Sequence, residues 1–279
     1  MVRVRQLLNN AEQLLSGSDT AQFDSEILLC HVLGKDRAWL RTWPEETVST
    51  SHAEQFNALL ESRQKGTPVA YLLGSQGFWS LDLKVTSDTL IPRPETELMI
   101  EIALNLPLPN NSHVVDLGTG TGAIALALAS ERSDWQVMAL DSQPEALKVA
   151  AENTQRSGLT HVQIIQSHWF DQLAQEKQFN LIVSNPPYID HNDPHLQQGD
   201  IRFEPKTALI ADADGLSDLQ HIISRSGSYL SDKGWLLVEH GYDQGKAVRD
   251  LFIEAGFGDV VTRKDYNGLE RVTLGQWLQ

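Results

Sequence analysis

The sequence predicts an α/β protein in which a small helical bundle precedes a Rossmann-like domain with a mainly parallel sheet, helices on both faces and a C-terminal antiparallel hairpin. Three observations support this fold class. Apolar residues recur at helical spacing in the first quarter of the chain. From residue 112 onward, strand-type and helix-type segments alternate, which is typical of a parallel sheet covered by helices. A glycine-rich turn joins the first of those strands to the helix that follows it.

Residues 1–73 are predicted to form the helical bundle. Three apolar stripes at helical spacing lie in this region, and Gly34 follows the second stripe as a C-terminal cap. The stripes comprise Val4, Leu7, Leu8, Ala11, Leu14 and Leu15, then Phe23, Ile27, Leu28, His31 and Val32, and then Ala53, Phe56, Leu59 and Leu60. Together they predict a separate N-terminal domain made of helices.

Residues 74–97 are predicted to form a β-hairpin and a linker between the two domains. The segment Gly74–Thr86 contains two glycines and a partial alternation of apolar residues, which indicates a short hairpin. In Ile91–Glu97 two prolines hold the chain extended before Glu95 opens a new helix. The domain junction is therefore placed in this stretch.

Residues 98–279 are predicted to form the α/β domain. Its expected strands are His113–Leu117, Gln136–Leu140, Val162–Gln166, Asn180–Ser184 and Trp235–Glu239. Helices are expected between most of them, including Gly122–Ala129 and Pro144–Gln155. A closing hairpin is expected from Asp259–Arg263 and Glu270–Trp277, joined through Asn267 and Gly268.

Composition limits the classes of function. The formal net charge of -15 disfavours tight, sequence-independent binding to DNA or RNA, because such binding depends on Lys and Arg neutralising phosphates. The nine histidines are scattered without ligand-like partners, so no metal site is predicted. The first ten residues carry no secretory pattern, and the longest apolar run, Ala123–Ala129, is far shorter than the ~20 residues that span a bilayer. A cytoplasmic protein is expected, in which the single cysteine, Cys30, is a core residue.

The first strong signal for a ligand site is the segment VVDLGTGTG, residues 114–122. An apolar strand leads directly into a turn formed by Gly118, Thr119, Gly120, Thr121 and Gly122. Glycines at such a turn let the backbone fold tightly and let a ligand approach it closely. By itself the turn fits NAD, FAD or S-adenosylmethionine, although its G-x-G-x-G spacing differs from the dinucleotide pattern G-x-G-x-x-G.

Polar and aromatic residues at the ends of the neighbouring strands are predicted to lie beside this turn. Asp141 follows about 20 residues later, the spacing of an acid that accepts hydrogen bonds from ribose hydroxyls. Its alternative role is a helix N-cap, because a proline-led helix follows; both roles are compatible, and ribose binding is favoured. Asp116 either faces the amino group of the cofactor or is an exposed strand-end residue. Trp169 and Phe170 either pack against adenine or belong to the core, with core packing the stronger rival for Phe170.

The second strong signal is the tetrapeptide at the end of an apolar strand that consists of Asn185, Pro186, Pro187 and Tyr188. Two consecutive prolines stiffen the turn and remove two backbone donors, so the turn presents mainly acceptors, to which Asn185 adds a side-chain acceptor. Acceptors that hold both N–H groups of a planar amide or aromatic amine favour the pyramidal, nucleophilic nitrogen of a methyl-transfer transition state. The ring of Tyr188 is expected to stack on the planar group and orient it. The alternative is a rigid loop with an exposed tyrosine.

These motifs resemble those of the release factor glutamine methyltransferases, the PrmC/HemK family. The resemblance covers nearly the whole chain, including a helical N-terminal domain and the segments IPRPETE (91–97), VVDLGTGTGAIALALA (114–129), SNPPYI (184–189), RFEP (202–205) and ADADGL (211–216). It implies a Rossmann-like S-adenosylmethionine-dependent methyltransferase domain. It also implies N5-methylation of the glutamine in the Gly-Gly-Gln motif of class 1 peptide chain release factors, with S-adenosylhomocysteine as the other product.

The resemblance also implies roles for individual residues. The cofactor contacts it implies are Gly118, Thr119, Gly120, Thr121, Gly122, Asp141, Trp169 and Asn185. The substrate pocket it implies consists of Asn185, Pro186, Pro187 and Tyr188, of which Asn185, Pro186 and Tyr188 are the catalytic residues. The N-terminal helices are expected to hold the release factor. One position departs from the family: His168 stands where an acidic residue is common. Asp171 or a backbone group are the substitutes considered for a contact at that position, and His168 is expected to be a surface residue.

Two alternatives stay open at this point. The first is an N6-adenine-type methyltransferase that acts on nucleic acid, which shares the Asn-Pro-Pro-Tyr turn but usually needs a basic track that a net charge of -15 disfavours. The second is a non-catalytic binding module that retains the methyltransferase fold. The intact glycine turn and the intact tetrapeptide argue against it.

Overall fold

A computed structural model describes residues 2–174 and 178–278. In these residues the helices are α1 (Val4–Leu14), α2 (Ala21–Leu33), α3 (Arg37–Thr42), α4 (Thr50–Gln64), α5 (Val69–Leu73), α6 (Glu97–Asn105), α7 (Ala123–Glu131), α8 (Pro144–Arg156), α9 (Asp212–Gly215), α10 (Ser217–Ser226) and α11 (Gly245–Glu254). The strands are β1 (Val2–Arg3), β2 (Thr47–Val48), β3 (Ser75–Phe78), β4 (Leu81–Lys84), β5 (His113–Leu117), β6 (Gln136–Asp141), β7 (Gln163–Gln166), β8 (Phe179–Ser184), β9 (Leu230–Glu239), β10 (Gly258–Lys264) and β11 (Glu270–Gln276). Short 3-10 helices cover Pro94–Thr96, Pro194–Gln197, Asp200–Phe203 and Lys206–Ala208. Among the described residues, every helix is too short or too polar to cross a lipid bilayer.

The chain divides into two compact units, and the first comprises Met1–Gly74 and Gln197–Phe203. Its core is built from the apolar faces of α1, α2 and α4, with Val4, Leu28 and Phe56 fully buried. The predicted helical bundle is therefore confirmed. Three members of the predicted stripes are not core residues: Leu14 and Phe23 are about half exposed, at 43% and 51%, and His31 is exposed as well. Helical spacing alone does not separate buried residues from exposed ones at the edges of an apolar face.

The segment Gln197–Phe203 belongs to this unit although it lies far along the chain. The guanidinium of Arg63 donates to Asp24 and to Asp200, each at 2.7 Å, and its side chain is only 12% exposed. Gly66 has a φ of +101°, and a Cβ atom there would lie 2.3 Å from the side chain of Arg202. The helical unit thus includes a return of the chain that no local pattern in the sequence predicts.

The second unit comprises Ser75–Leu196 and Glu204–Gln279 and is built around a seven-stranded sheet of order β10-β11-β9-β8-β5-β6-β7. The strands β9, β8, β5, β6 and β7 are parallel, and β11 pairs antiparallel with both β9 and β10. This confirms the predicted parallel sheet with its C-terminal hairpin. The strand order reverses beside β5, between β6 on one side and β8 on the other. Ligands of such sheets bind at this reversal, beyond the carboxyl ends of the strands.

The sheet is buried on both faces, which explains why its strands are runs of apolar residues. Successive residues of a strand point to opposite faces. Val114 packs in the core cluster that contains α6 and α7, whereas Val115 packs in the cluster that contains α10 and α11. The strands are therefore held from both sides, and their carboxyl ends are fixed in relation to one another.

The buried side chain of Asn153 on α8 joins the short hairpin β3–β4 to the glycine turn. Its Oδ1 accepts from the Lys84 N–H at 2.7 Å, and its Nδ2 donates to the carbonyls of Lys84 and Thr121 at 3.0 and 2.9 Å. Asn153 is only 1% exposed, so water does not substitute for these bonds. One side chain therefore satisfies three backbone groups that would otherwise be buried without partners.

We expect Asn153→Ala to lower the free energy of unfolding by about 2–4 kcal/mol, because it leaves several buried backbone groups unpaired. Reversible urea denaturation measures the change. The matched control is Asn105→Ala at the exposed end of α6, where Nδ2 donates to the Glu101 carbonyl, and this variant should lose less than about 0.5 kcal/mol. Equal effects of the two substitutions would contradict the role assigned to Asn153.

Candidate active site

A cavity of about 300 Å³ opens at the carboxyl edge of the parallel strands. Its wall contains Gly118, Thr119, Gly120 and Thr121 from the glycine turn, Asp141 from β6, Trp169 beyond β7, and Asn185 and Pro187 beyond β8. Three other residues predicted for the site lie outside this wall: Gly122, Pro186 and Tyr188. Most of the predicted site residues are therefore brought together in one cavity.

The glycine turn has a conformation that requires glycine. Gly118, Gly120 and Gly122 have φ values of 74°, 56° and 84°, in the left-handed region that side chains disfavour. A Cβ atom on Gly118 would lie 3.1 Å from the indole of Trp169, so the ring covers this glycine closely. Gly122 instead faces α7, which begins directly after it. A Cβ atom on Gly122 would lie 3.1 Å from the side chain of Leu126.

Asp116 is a buried carboxylate beneath the turn. Its Oδ2 accepts from the Thr119 hydroxyl at 2.6 Å and from the Ala125 N–H at 3.3 Å, whereas Oδ1 has no partner among the described residues. Burial raises the pKa of Asp116 to about 7. The alternative of an exposed strand-end residue is therefore wrong, because packing by α7 excludes water, and Asp116 is also absent from the cavity wall.

Asp141 both holds the turn and faces the cavity. Its Oδ2 accepts from the Gly120 N–H and its Oδ1 from the Gln143 N–H, each at 2.9 Å. The helix α8 begins at Pro144 with Gln143 at the N-cap position, so Asp141 orders the approach to the helix without being the cap itself. Asp141 is 9% exposed, and burial raises its pKa. Each carboxylate oxygen has a second lone pair, which a ligand hydroxyl can use.

The aromatic residues beyond β7 separate into two roles. Phe170 is fully buried and stacks on Tyr229 with ring centroids 4.6 Å apart, so it is a core residue. Trp169 lines the cavity and has a φ of 48°, a strained value for a residue with a side chain. The carbonyl of Trp169 accepts from the Ser167 hydroxyl at 2.8 Å, which helps to hold this conformation.

His168 is a surface residue, as expected, with a side chain 64% exposed. Asp171, proposed from the sequence as a substitute acid, pairs with Arg225 at 3.2 Å and is absent from the cavity wall. A different acid, Asp218 of α10, lines the cavity and accepts a hydrogen bond from Trp169. Burial raises the pKa of Asp218. The sequence prediction did not include Asp218, because the quoted segment ADADGL (211–216) ends two residues before it and carries no spacing that places α10 beside the cavity.

The Asn-Pro-Pro-Tyr turn is anchored on both sides. Before it, the Ser184 hydroxyl donates to the Leu117 carbonyl at 2.7 Å, which ties the end of β8 to the end of β5. After it, Ile189 pairs with the segment 209–211. The Ile189 N–H donates to the Leu209 carbonyl at 2.9 Å, and the Ala211 N–H donates to the Ile189 carbonyl at 3.0 Å. Gln244 also donates to the Tyr188 carbonyl at 3.1 Å. The two prolines are thus held at a fixed place, with Pro187 in the cavity wall.

A buried polar chain connects the tetrapeptide to β9. The Asn185 Nδ2 donates to the Thr96 hydroxyl oxygen at 3.2 Å, and the Thr96 hydroxyl donates to Glu239 Oε2 at 2.7 Å. The Tyr188 hydroxyl donates to the other oxygen of Glu239 at 3.1 Å. Glu239 and Thr96 are 1% and 4% exposed. Burial raises the pKa of Glu239, while the hydrogen bonds from Thr96 and Tyr188 and the charge of Arg271 oppose that rise.

This arrangement differs from the sequence prediction for Tyr188. Its ring packs against the core cluster that contains α10 and α11, and burial, with the charge of Glu239, raises the pKa of its hydroxyl. The alternative of an exposed tyrosine is wrong, and stacking of the ring on a substrate stays a prediction. Thr96 and Glu239 were missed. The available signal was an acidic residue ending the apolar strand β9, which parallel pairing places beside the end of β8.

Comparison with known proteins finds similar sequences over nearly the whole chain. A family model described as the PrmC N-terminal domain matches residues 6–74, and one described as the methyltransferase small domain matches residues 95–203. The release factor glutamine methyltransferase of Pseudomonas aeruginosa is 52% identical over 277 residues, which cover 99% of this chain and 99% of that protein. The protein of the same description from Escherichia coli K12 is 49% identical over 272 residues, with 98% of each chain covered.

A solved structure shows the same fold. The crystal structure of a methyltransferase from Pyrococcus furiosus superposes with a TM-score of 0.55 at 17% identity. The match covers 80% of this chain and 98% of that chain. At this level of identity the similarity concerns the fold alone.

We expect Asp116→Asn to reduce the decline of stability with rising pH. Folded Asp116 keeps its proton up to about pH 7, whereas the unfolded residue loses it near pH 4, as free aspartate does. Between these values the folded state binds more protons, so the free energy of unfolding falls as pH rises, by up to about 1.4 kcal/mol per pH unit. From about pH 5 to 7 the wild type should therefore lose about 2–3 kcal/mol more than the variant in urea denaturation.

The exposed variant Asp19→Asn is the matched control and should follow the wild-type dependence. Parallel pH profiles for the wild type and Asp116→Asn would show that Asp116 is ionised in the folded protein.

Proposed function

The chain belongs to the release factor glutamine methyltransferase family, and on that premise we propose the reaction that its cavity serves. The methyl group of S-adenosylmethionine is transferred to the side-chain nitrogen N5 of the glutamine in the Gly-Gly-Gln motif of class 1 peptide chain release factors. The sulfur leaves as S-adenosylhomocysteine, and the methylated nitrogen loses one proton to solvent. One observation carries the proposal: Asn185 shares a single cavity with the glycine turn and Asp141. A methyl donor bound by the glycine turn would therefore lie beside Asn185, which would bind the substrate amide.

The cavity wall suits S-adenosylmethionine in each of its parts. The glycine turn lacks Cβ atoms where the backbone must approach a ligand, and Asp141 presents carboxylate oxygens to ribose hydroxyls. The indole of Trp169 provides an aromatic face for adenine. A volume of about 300 Å³ is at the lower end of the range for small-molecule sites. These residues, with Asn185, are the cofactor contacts that we propose.

Asn185 would select the substrate amide by accepting one of its N–H groups. Its Nδ2 is engaged with Thr96, and no described residue donates to its Oδ1. The adjoining prolines carry no N–H, so the turn offers acceptors and not competing donors. An acceptor that binds the amide N–H more tightly as the nitrogen becomes pyramidal stabilises the transition state over the ground state.

Transfer needs positioning more than acid–base chemistry. Bound S-adenosylmethionine supplies a methyl group activated by a positively charged sulfur. The protein aligns the amide nitrogen with that carbon, and alignment of this kind accounts for up to about 7–11 kcal/mol of a barrier. Asn185 and Pro187 form the wall on the substrate side, and Pro186 and Tyr188 support that wall from within.

The helical unit is the proposed docking surface for the release factor. It is a separate compact unit with its own core, and its members Trp43 and Phe23 expose more than half of their surface. Exposed aromatic residues are frequent anchors of protein interfaces. The formal net charge of -15 favours a protein partner over the phosphate backbone of a nucleic acid.

The direct experiment is incubation of the protein with isotope-labelled S-adenosylmethionine and a purified class 1 release factor, followed by mass mapping of the labelled residue. The expected result is one methyl group on the glutamine of the Gly-Gly-Gln motif and none on a release factor in which that glutamine is replaced by glutamate. Label on nucleic acid in place of the release factor would support the N6-adenine alternative. Absence of S-adenosylmethionine binding in calorimetry would support a binding module.

We expect Asn185→Ala to lower kcat by about 100- to 1,000-fold, the usual effect of removing one polar group that stabilises a transition state. The dissociation constant of S-adenosylhomocysteine should rise by less than about tenfold, because the other proposed cofactor contacts remain. Single-turnover kinetics and titration calorimetry measure the two quantities, with Asn105→Ala as the control. Wild-type turnover in Asn185→Ala would contradict the role of Asn185 as the hydrogen-bond acceptor for the substrate amide.

A further inference from the structure

We propose that Glu239, acting through Thr96, determines which end of the Asn185 side-chain amide faces the substrate. Glu239 and Thr96 would then be positioning residues for methyl transfer, although neither needs to touch the substrate. The inference rests on the proposed function, since it explains how Asn185 comes to present an acceptor. No motif identified in the sequence assigns a role to either residue.

The hydrogen atoms that each group possesses determine which group donates in this chain. An ionised carboxylate only accepts, so the Thr96 hydroxyl must donate its single hydrogen to Glu239 Oε2, at 2.7 Å. The Thr96 oxygen can then only accept from Asn185, and only the NH2 end of that amide is able to donate. The 3.2 Å contact therefore has to be Nδ2 to Oγ1, which turns Oδ1 the other way.

Burial reduces competition from solvent for this order of donors while Glu239 is ionised. Thr96 and Glu239 are 4% and 1% exposed, and Thr96 lines the cavity. The second oxygen of Glu239 accepts from the Tyr188 hydroxyl at 3.1 Å. One carboxylate thus holds the first and the last residue of the tetrapeptide, and a buried polar group left unpaired would be costly.

The direction of the chain depends on the charge of Glu239. A glutamine or a protonated glutamate at this position can donate to Thr96, whose hydroxyl is then free to donate to Asn185. The amide would rotate to offer Oδ1 to Thr96 and would present NH2 to a substrate that is itself an NH2 donor. Two opposed donors do not form a hydrogen bond, so substrate positioning would be lost while the volume of the site stays the same.

Ionisation of Glu239 should therefore appear in the pH dependence of turnover. Burial raises its pKa, and the nearby groups act in both directions: Arg271 of β11 and the hydrogen bonds from Thr96 and Tyr188 lower it, whereas Glu95 raises it. We expect kcat to increase with pH as Glu239 loses its proton. The midpoint of this rise should lie above the usual pKa of a glutamate.

The experiment compares Glu239→Gln, Thr96→Val and Thr96→Ser with the wild type, using a release factor as substrate. Glu239→Gln and Thr96→Val should lower kcat by about 30- to 300-fold, within the range for loss of a transition-state hydrogen bond. The dissociation constant of S-adenosylhomocysteine and the KM for the release factor should change less than about threefold. Thr96→Ser keeps the hydroxyl and should recover most of the turnover that Thr96→Val loses. The matched control, Glu270→Gln on β11, removes a carboxylate that pairs with Arg249 outside the cavity.

Three results would overturn the inference. One is turnover in Glu239→Gln within threefold of the wild type. Another is an acid limb that persists unchanged in Glu239→Gln. The third is a loss in Glu239→Gln that is matched by an equal loss of S-adenosylhomocysteine affinity, which would show collapse of the cavity. Failure of the wild type itself to methylate any release factor would instead refute the proposed function.

Discussion

The chain of hydrogen bonds from Asn185 through Thr96 to Glu239 is the interaction on which the chemistry proposed for this site depends. It crosses from the turn after β8 to the end of β9, two neighbouring parallel strands whose carboxyl ends lie at one edge of the sheet. An asparagine has two nearly equivalent ends, and the acceptor end is the useful one for holding an amide N–H. In the proposed mechanism, the buried polar chain removes that ambiguity before any substrate arrives, which is what preorganisation requires.

Buried hydrogen bonds also hold the side of the cavity that the glycine turn forms. Asp116 and Asp141 lie at the ends of β5 and β6, and each accepts from the glycine turn, through the Thr119 hydroxyl and the Gly120 N–H. Burial raises the pKa of both carboxyl groups, so each is held at a site that disfavours its charge. Local conformational strain accompanies this arrangement, in the left-handed backbone of Trp169. The fold tolerates these features because apolar packing on both faces fixes the strands.

Local patterns predicted most of the fold and the two turns that contribute residues to the cavity wall. The strands, the glycine turn and the Asn-Pro-Pro-Tyr turn were located correctly because apolar runs, glycines and prolines act within a few residues. What the sequence did not reveal depends on distant pairings: Glu239 beneath Asn185, Asp218 beside Trp169, and the segment Gln197–Phe203 within the helical unit. The inward position of Tyr188 was also not predicted. It depends on the hydrogen bond from its hydroxyl to Glu239, which is distant in the sequence.

The most direct test of this account is a crystal structure of the protein with S-adenosylhomocysteine and a peptide that carries the Gly-Gly-Gln motif. The glutamine nitrogen is expected within about 3 Å of Asn185 Oδ1, with Nδ2 still bonded to Thr96 and the sulfur on the side of that nitrogen away from Asn185. A glutamine amide bound elsewhere, or an Asn185 whose NH2 end faces the peptide, would contradict the proposed mechanism.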